Sequence, residues 1–356
     1  MVVIGTDVHK RTHTFVAVDA VGKQIGQLSV AATSEGHFAA LRWAVRECGT
    51  EVTWAIEDCR HLSARLERDL LGAGQAVVRV PPKMMAGQRR RARTRGKSDP
   101  IDALAVARAY QQEPDLPVAS HDDLSRELKL VVDRRETLVR QRTATINTLR
   151  WRLHELDPEL VIGSLDRATS QRAAAAFLAD RDGIVAEMAH DELGDIITLT
   201  NRIKVFDKRI VDVTERVAPS LRELPGCGPL SAAKLVGESA GITRFATEAK
   251  FARHAGIAPI PVWSGASEGR VRLTRSGNRQ LNAAVHRIAI TQIRLAGSDG
   301  HAYYRKKQAE GMTKREALRC LKRHLARTVY RLMMTDHHNR TTTPATTEIE
   351  QYAPAA

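Results

Sequence analysis

Within its first 31 residues the chain carries three runs suited to β-strands, with room between them for tight turns only. Val2–Val8 is rich in β-branched residues, and Thr12–Asp19 (Thr-His-Thr-Phe-Val-Ala-Val-Asp) follows after three residues. Gly22-Lys23 then turns the chain into a third run, Gln24–Ala31. Connections this short join antiparallel neighbours. The pattern next changes to alternation of helix and strand. Ser34 caps a helix through Cys48, with Phe38, Leu41, Trp43 and Val45 mostly on one side. A strand over Glu51–Glu57, a helix over His61–Leu71 and a strand over Gln75–Val80 complete the series. A meander feeding strand–helix alternation predicts a mixed sheet with helices on its faces.

A basic run follows: Lys83, Arg89, Arg90, Arg91, Arg93, Arg95 and Lys97, with no acidic residue among them. It leads into Ser98-Asp99-Pro100-Ile101-Asp102-Ala103 and an Ala/Leu-rich helical pattern. Pro100 suits a first helical turn, and Ser98 or Asp99 the cap before it. Residues three apart share a helix face, so Asp99 and Asp102 can point the same way. Two carboxylates side by side repel unless a cation lies between them. A capped surface helix behind a solvated charged loop would look the same, so this stretch alone does not decide. The whole chain carries a net charge of +14 with a pI near 10. That balance favours a nucleic-acid partner, and the basic run would collect polyanion.

With the Asp99 helix the order becomes βββαβαβα, that of the ribonuclease-H-like (RuvC-like) fold shared by many nucleases, resolvases and transposases. That fold gathers carboxylates from its first strand, the end of its fourth and the following helix. Asp7, Glu57, Asp99 and Asp102 fall on those positions. Asp7 would otherwise cap a turn and Glu57 would be an ordinary strand end. Asp58, adjacent to Glu57, is an alternative ligand. Hard divalent cations such as Mg²⁺ take carboxylate oxygens, and a pair of them serves phosphoryl transfer.

From Asp122 to Leu156 a nearly uninterrupted helical pattern has apolar residues at heptad-like spacing, broken by Arg135 and Arg142 and stopped by Pro158. Glu192–Val217 gives a second long helix, closed by Pro219. An antiparallel hairpin, a dimerising coiled coil and an intramolecular bundle are all consistent with the pair. Leu224-Pro-Gly-Cys-Gly-Pro resembles the turn of a helix-hairpin-helix motif, with Gly226 and Gly228 allowing backbone amides to approach a phosphate. A plain inter-helix turn would also fit. Phe245–Ile257 looks helical, and Pro259 and Pro261 then force extended backbone. A Ser/Gly-rich loop, Val262–Gly269, precedes Arg270, Arg272, Arg275, Asn278 and Arg279, which suit phosphate. A serine there, Ser264, could be a nucleophile, although serine in such a loop is commonly a turn residue.

The four cysteines, Cys48, Cys59, Cys227 and Cys320, lack paired metal spacing. No leader or membrane-length apolar run is expected, so the reading is a cytoplasmic protein with reduced thiols. The expected division is 1–115 as the mixed-sheet domain, 116–219 as a helical coiled-coil linker, 220–335 as a mainly helical C-terminal domain, and 336–356 as a disordered tail.

Taken in order, Gly5-Thr-Asp-Val-His-Lys, Ile56-Glu57-Asp58, Lys97-Ser-Asp-Pro-Ile-Asp-Ala, Leu224-Pro-Gly-Cys-Gly-Pro, Ala255-Gly-Ile-Ala-Pro, Ser264-Gly and Thr274-Arg-Ser-Gly-Asn resemble the DEDD transposases of insertion-sequence family 110. The resemblance spans nearly the whole chain to about Leu332. It implies a recombinase with a ribonuclease-H-like domain, a coiled-coil linker and a C-terminal transposase domain carrying a catalytic serine. Asp7, Glu57, Asp99 and Asp102 would hold Mg²⁺ or Mn²⁺, and Ser264 would form the phosphoserine link to DNA. The implied partners are donor and target DNA, a bridging guide RNA and further copies of the chain, with no membrane. The family's loop often reads Ser-Ser-Gly-Gly, so Ser267 is a second candidate for the nucleophile. A nuclease or resolvase acting by metal alone, or a non-catalytic DNA-binding protein, are the competing functions.

Overall fold

The computed structural model describes residues 1–58, 60–91, 98–120, 122–273 and 277–342. The chain divides into two compact units: Met1–Asp122 with Thr243–Lys250, and Asp123–Ile242 with Phe251–Ala356. Most of 116–219 and of 220–335 falls in the second unit, while 116–122 and 243–250 fall in the first. Expected basic contacts Arg93, Arg95, Lys97 and Arg275 lie outside the described residues.

In the first unit the strands are β1 (Val2–Val8), β2 (Thr12–Val18), β3 (Gln24–Ala31), β4 (Val52–Glu57) and β5 (Ala76–Val80). Their helices are α1 (Ser34–Cys48), α2 (Arg60–Gly72), α3 (Pro82–Arg91) and α4 (Asp99–Gln112). The sheet order is β3-β2-β1-β4-β5, antiparallel through the meander and parallel from β1 to β4 and β4 to β5. This mixed α/β architecture is compatible with the ribonuclease-H-like order expected from the sequence. Thr33, not Ser34, caps α1, accepting from the Gly36 amide at 3.2 Å. The first half of the basic run, for which the sequence pattern indicates no element, forms α3.

Strand alternation sorts the side chains between two cores. Ile4, Val8, Phe15, Trp54 and Ile56 pack with Ala40, Trp43, Leu66 and Leu70 of α1 and α2. Val3, Val16, Ala55, Val78 and Val80 pack with Met85 of α3 and Ala103, Val106 and Ala107 of α4. The sheet is therefore covered on both faces, and α4 lies on the face that odd-numbered β1 residues share.

On the α1 side the core also buries histidine. The His13 ring stacks on His37 at 5.2 Å and 19°, and His37 Nδ1 is 2.6 Å from Asp69 Oδ2. Burial first, and the His37 charge second, lower the His13 pKa to about 4. An unfolded chain takes this proton near pH 6.5, whereas the native one refuses it down to about pH 4. Stability should therefore be lost progressively as pH falls through that window, by about 3 kcal/mol from His13 alone. Urea unfolding at pH 7 and pH 4 checks this. His13→Leu should reduce the difference by about that amount, and an unchanged difference would refute it.

The second unit contains α5 (Asp123–Leu156), α6 (Ala168–Leu178), α7 (Ile184–Val217), α8 (Pro219–Glu223), α9 (Pro229–Ser239), α10 (Glu248–His254), α11 (Arg279–Arg294), α12 (Asp299–Ala309) and α13 (Lys314–Thr342), the first residues of α10 excepted. Its two short strands are β6 (Pro259–Pro261) and β7 (Val271–Leu273). α5 and α7 form an intramolecular antiparallel hairpin, as Arg152–Glu192 (2.8 Å) and Arg135–Asp207 (2.9 Å) run in opposite sequence directions. The two arginines that interrupt the apolar seam reach across it, Arg135 to Asp207 and Arg142 to Thr200 Oγ1 at 3.3 Å. α7 starts at Ile184, earlier than its apolar pattern suggests, and α13 continues to Thr342, into the tail expected to be disordered. Asp336 explains part of that extension: buried, it accepts from the Ser220 and Leu221 amides and fixes the end of α13 to the start of α8.

Candidate functional site

Asp7 is on β1 and Glu57 ends β4. Thr6 is registered with Ile56, so Asp7 and Glu57 come next on adjacent parallel strands and share a face. Glu57 is registered with Val80, whose side chain packs among the α4-side core. Both carboxylates therefore belong to the face that α4 covers. Asp58 is turned the other way: its charge acts on Arg79, which is held by Glu67 of α2. Strand register thus puts Glu57, and not Asp58, on the face that α4 covers.

What brings α4 to that face is Gly5. A Cβ there would meet Ala103 O at 2.1 Å and Ala107 N at 2.6 Å, so backbone of α4 rests directly on backbone of β1. The first turn of α4 then lies beside Asp7, two residues along. Ser98 is the N-cap and Pro100 sits in the first turn, as the sequence indicated.

At this corner His9 Nε2 is 3.1 Å from Asp7 Oδ2 and 3.3 Å from Asp99 Oδ1. Asp7, His9 and Asp99 each offer a ligand atom, all within 4.8 Å of one another. Asp7 and Asp102 are buried, while His9 and Asp99 are half exposed. Burial pushes the Asp7 carboxyl above its usual range; His9 pulls against this, and the charges of Asp102 and Asp99 add to the rise. Negative charge is thus concentrated at a corner that solvent reaches only from the Asp99 side, a setting in which a cation is favourable. His9 was not foreseen, though its position two residues after Asp7 was a usable signal. Two carboxylates and an imidazole suit a divalent ion.

Ser264 lies elsewhere in the sequence, on the β6–β7 hairpin of the second unit. Pro259, Ile260 and Pro261 are registered with Leu273, Arg272 and Val271, and the Val262 amide reaches Arg270 O at 2.9 Å. Ser264 is exposed at the start of a short turn, Gly265–Ser267. Ser267 Oγ accepts from the Ser264 amide at 3.0 Å and donates to the Ser264 carbonyl at 3.1 Å. The two serines face each other across the turn as a capping box, in which the Ser264 side chain also meets the Ser267 backbone. At the hairpin base Gly277 packs on Gly256, where its Cβ would approach Gly256 Cα to 2.6 Å. Asn278 caps α11 and donates to Glu238 at 2.6 Å.

The remaining expected contacts separate. Arg270, Arg272 and Arg279 are exposed. Arg89, Arg90 and Arg91 lie on α3, their side chains outside the described ones. Gly228 is open and N-caps α9, whereas Gly226 is packed against α11: its Cβ would meet Thr291 Cβ at 3.0 Å and Ile288 O at 3.1 Å. A positive φ of 84° and this close approach account for Gly226 without a phosphate.

These features define the class once set beside known proteins: the chain is a transposase. Residues 4–158 match the family model of DEDD transposases of the IS110 type, described as "Transposase", and residues 218–305 match that of the "Transposase IS116/IS110/IS902 family". The chain belongs to the IS110 family. It is 26% identical to the insertion element IS116 uncharacterized 44.8 kDa protein of Streptomyces clavuligerus, covering 90% of this chain and 91% of the relative. The IS900 uncharacterized 42 kDa protein of Mycobacterium paratuberculosis is 27% identical over 83% of this chain and 87% of its own length. The IS110 uncharacterized 43.6 kDa protein of Streptomyces coelicolor is 31% identical over 37% of this chain and 33% of its own length. The family implies DNA as partner and a divalent metal site. Among the described residues no helix is long and apolar enough to cross a membrane.

Proposed function

We propose that this transposase cuts and rejoins DNA through a ribonuclease-H-like metal site and a serine nucleophile. The convergence of Asp7 and Asp99, from β1 and α4, within 4.8 Å of a common imidazole carries the reading. Asp7 and Asp99 would hold Mg²⁺ or Mn²⁺, Asp102 and Glu57 would complete the acidic surround, and His9 would be displaced toward the rim or join as a ligand. Such an ion supplies positive charge against the transferring phosphoryl group.

Ser264 Oγ attacks phosphorus; a P–O bond to the DNA breaks, and the departing hydroxyl takes a proton. Resealing reverses these steps with a second strand. Glu268, the nearest acid on the loop, is followed by Arg270 and Arg272, which suit the phosphate rather than proton abstraction. Guide RNA pairing with donor and target DNA, a cytoplasmic setting and an assembly of several copies belong to the same reading, supported by the family resemblance.

Trapping of a covalent protein–DNA adduct tests it. Ser264→Ala should lose the adduct completely. Ser267→Ala should retain it at a reduced level, because the Ser267 hydroxyl is engaged with the Ser264 backbone. Cleavage without any adduct in the unaltered protein would favour a metal-dependent nuclease or resolvase. Transfer of the adduct to Ser267 would reassign the nucleophile.

A further inference from the structure

The hairpin that carries Ser264 has two chemically different faces, and both are open. Across an antiparallel pair, registered residues share a face, and neighbours along a strand alternate. Ile260 with Arg272 and Val262 with Arg270 form one face; Pro261 with Val271 form the other. Continuing the alternation through the extended Ser264 backbone (φ −147°, ψ 135°) puts Ser264 with the arginines and Trp263 with Pro261 and Val271. Trp263 is 49% exposed and Val271 56% exposed, so the apolar face lacks cover among the described residues.

From this geometry we infer that Trp263 is a stacking platform for an unpaired base next to the phosphate that Ser264 and the arginines address. The inference deepens the serine reading and rests on it. Three observations favour nucleic acid as the occupant. Arg270 and Arg272 stand exposed on the opposite face of the same ribbon, giving it the charge that complements a phosphate backbone. Pro259 and Pro261 remove two amide donors from β6, which discourages another protein strand from adding there. Trp263 also immediately precedes Ser264: their Cα atoms are about 3.8 Å apart while their side chains leave opposite faces, so a strand crossing the end of the ribbon can set a base on the indole and an adjoining phosphate at the hydroxyl. An aromatic side chain accepts any base on its flat surface, so the contact is independent of sequence. That suits an enzyme whose target choice is delegated to a guide. A base drawn out of its stack would also expose the backbone at the cut site.

Fluorescence anisotropy of the full-length protein with mixed-sequence oligodeoxynucleotides, one single-stranded and one duplex, tests this without cleavage. Trp263→Ala should weaken single-strand binding about tenfold and leave duplex binding and the salt slope nearly unchanged. Trp263→Phe should restore most of the loss. Arg270→Ala with Arg272→Ala should instead weaken both substrates and shallow the slope of log affinity against log salt. Equal losses on both substrates, or none, in Trp263→Ala would overturn the inference. So would unchanged single-strand binding accompanied by a smaller sedimentation coefficient, which would make the face a contact between copies. Binding is read independently of the adduct. Failure of the serine mechanism would therefore appear as a missing adduct with Trp263 discrimination intact.

Discussion

Asp7→Asn is expected to make the metal-free protein more stable and the enzyme inactive. Asp7 is buried on β1, and its charged form is opposed by burial and by the nearby charges of Asp102 and Asp99. An amide of nearly the same shape removes that repulsion while keeping an oxygen toward His9. Urea unfolding in EDTA at neutral pH should therefore shift to higher midpoint in the variant. The amide also removes one of the anionic oxygens a divalent ion needs. Groups that merely orient a metal ligand typically account for a 10–100-fold effect, so loss of a ligand should lower recombination by more than about a hundredfold. Addition of Mg²⁺ or Mn²⁺ should raise the melting temperature of the unaltered protein and not of Asp7→Asn. A variant that is less stable in EDTA, or one that keeps its metal-dependent shift, would remove Asp7 from the site. Asp58→Asn is the matched control, since its carboxylate serves the Arg79 face and should leave the metal response in place.

The sheet was legible because its strands are short, β-branched and separated by turn residues. Each of the five was placed within a residue or so of its observed bounds. The two long helices were legible for the matching reason, a sustained apolar seam. α3 was hidden because its pattern is dominated by arginine and lysine, whose helical propensity is good but whose charge reads as solvated loop. α6 was hidden by its run of alanines, which gives little periodicity. Of the site, Asp7 and Asp99 follow from fold order, and the Glu57 face follows from strand register once β4 is fixed. His9 did not, because β1 ends at Val8 and sequence does not say where the chain turns next. The turn linking the two loop serines was also beyond sequence: only the structure shows the Ser267 hydroxyl bonded to the Ser264 amide and carbonyl.

Gly5→Ala is expected to be among the most damaging single-methyl additions in the first unit. The new Cβ would sit 2.1 Å from Ala103 O and 2.6 Å from Ala107 N, and neither is the end of a flexible side chain. Relief requires α4 to lift from β1 or β1 to bend, and β1 is held on both sides by β2 and β4. Small-to-large changes in packed cores typically destabilise by 1–3 kcal/mol, and a clash with backbone belongs at or above the upper end, about 3 kcal/mol. The same displacement carries Asp99 and Asp102 away from Asp7, so activity should fall even where the fold survives. Gly194→Ala, in the interior of α7 with nothing within 4 Å of its Cβ, is the control with the opposite sign. There the better helix former should raise stability by up to about 1 kcal/mol. Denaturant midpoints of the two variants, read with the Mg²⁺-dependent shift in melting temperature, distinguish the cases. If Gly5→Ala keeps both the midpoint and the metal response of the unaltered protein, α4 does not rest on β1 in the way that places Asp99 beside Asp7.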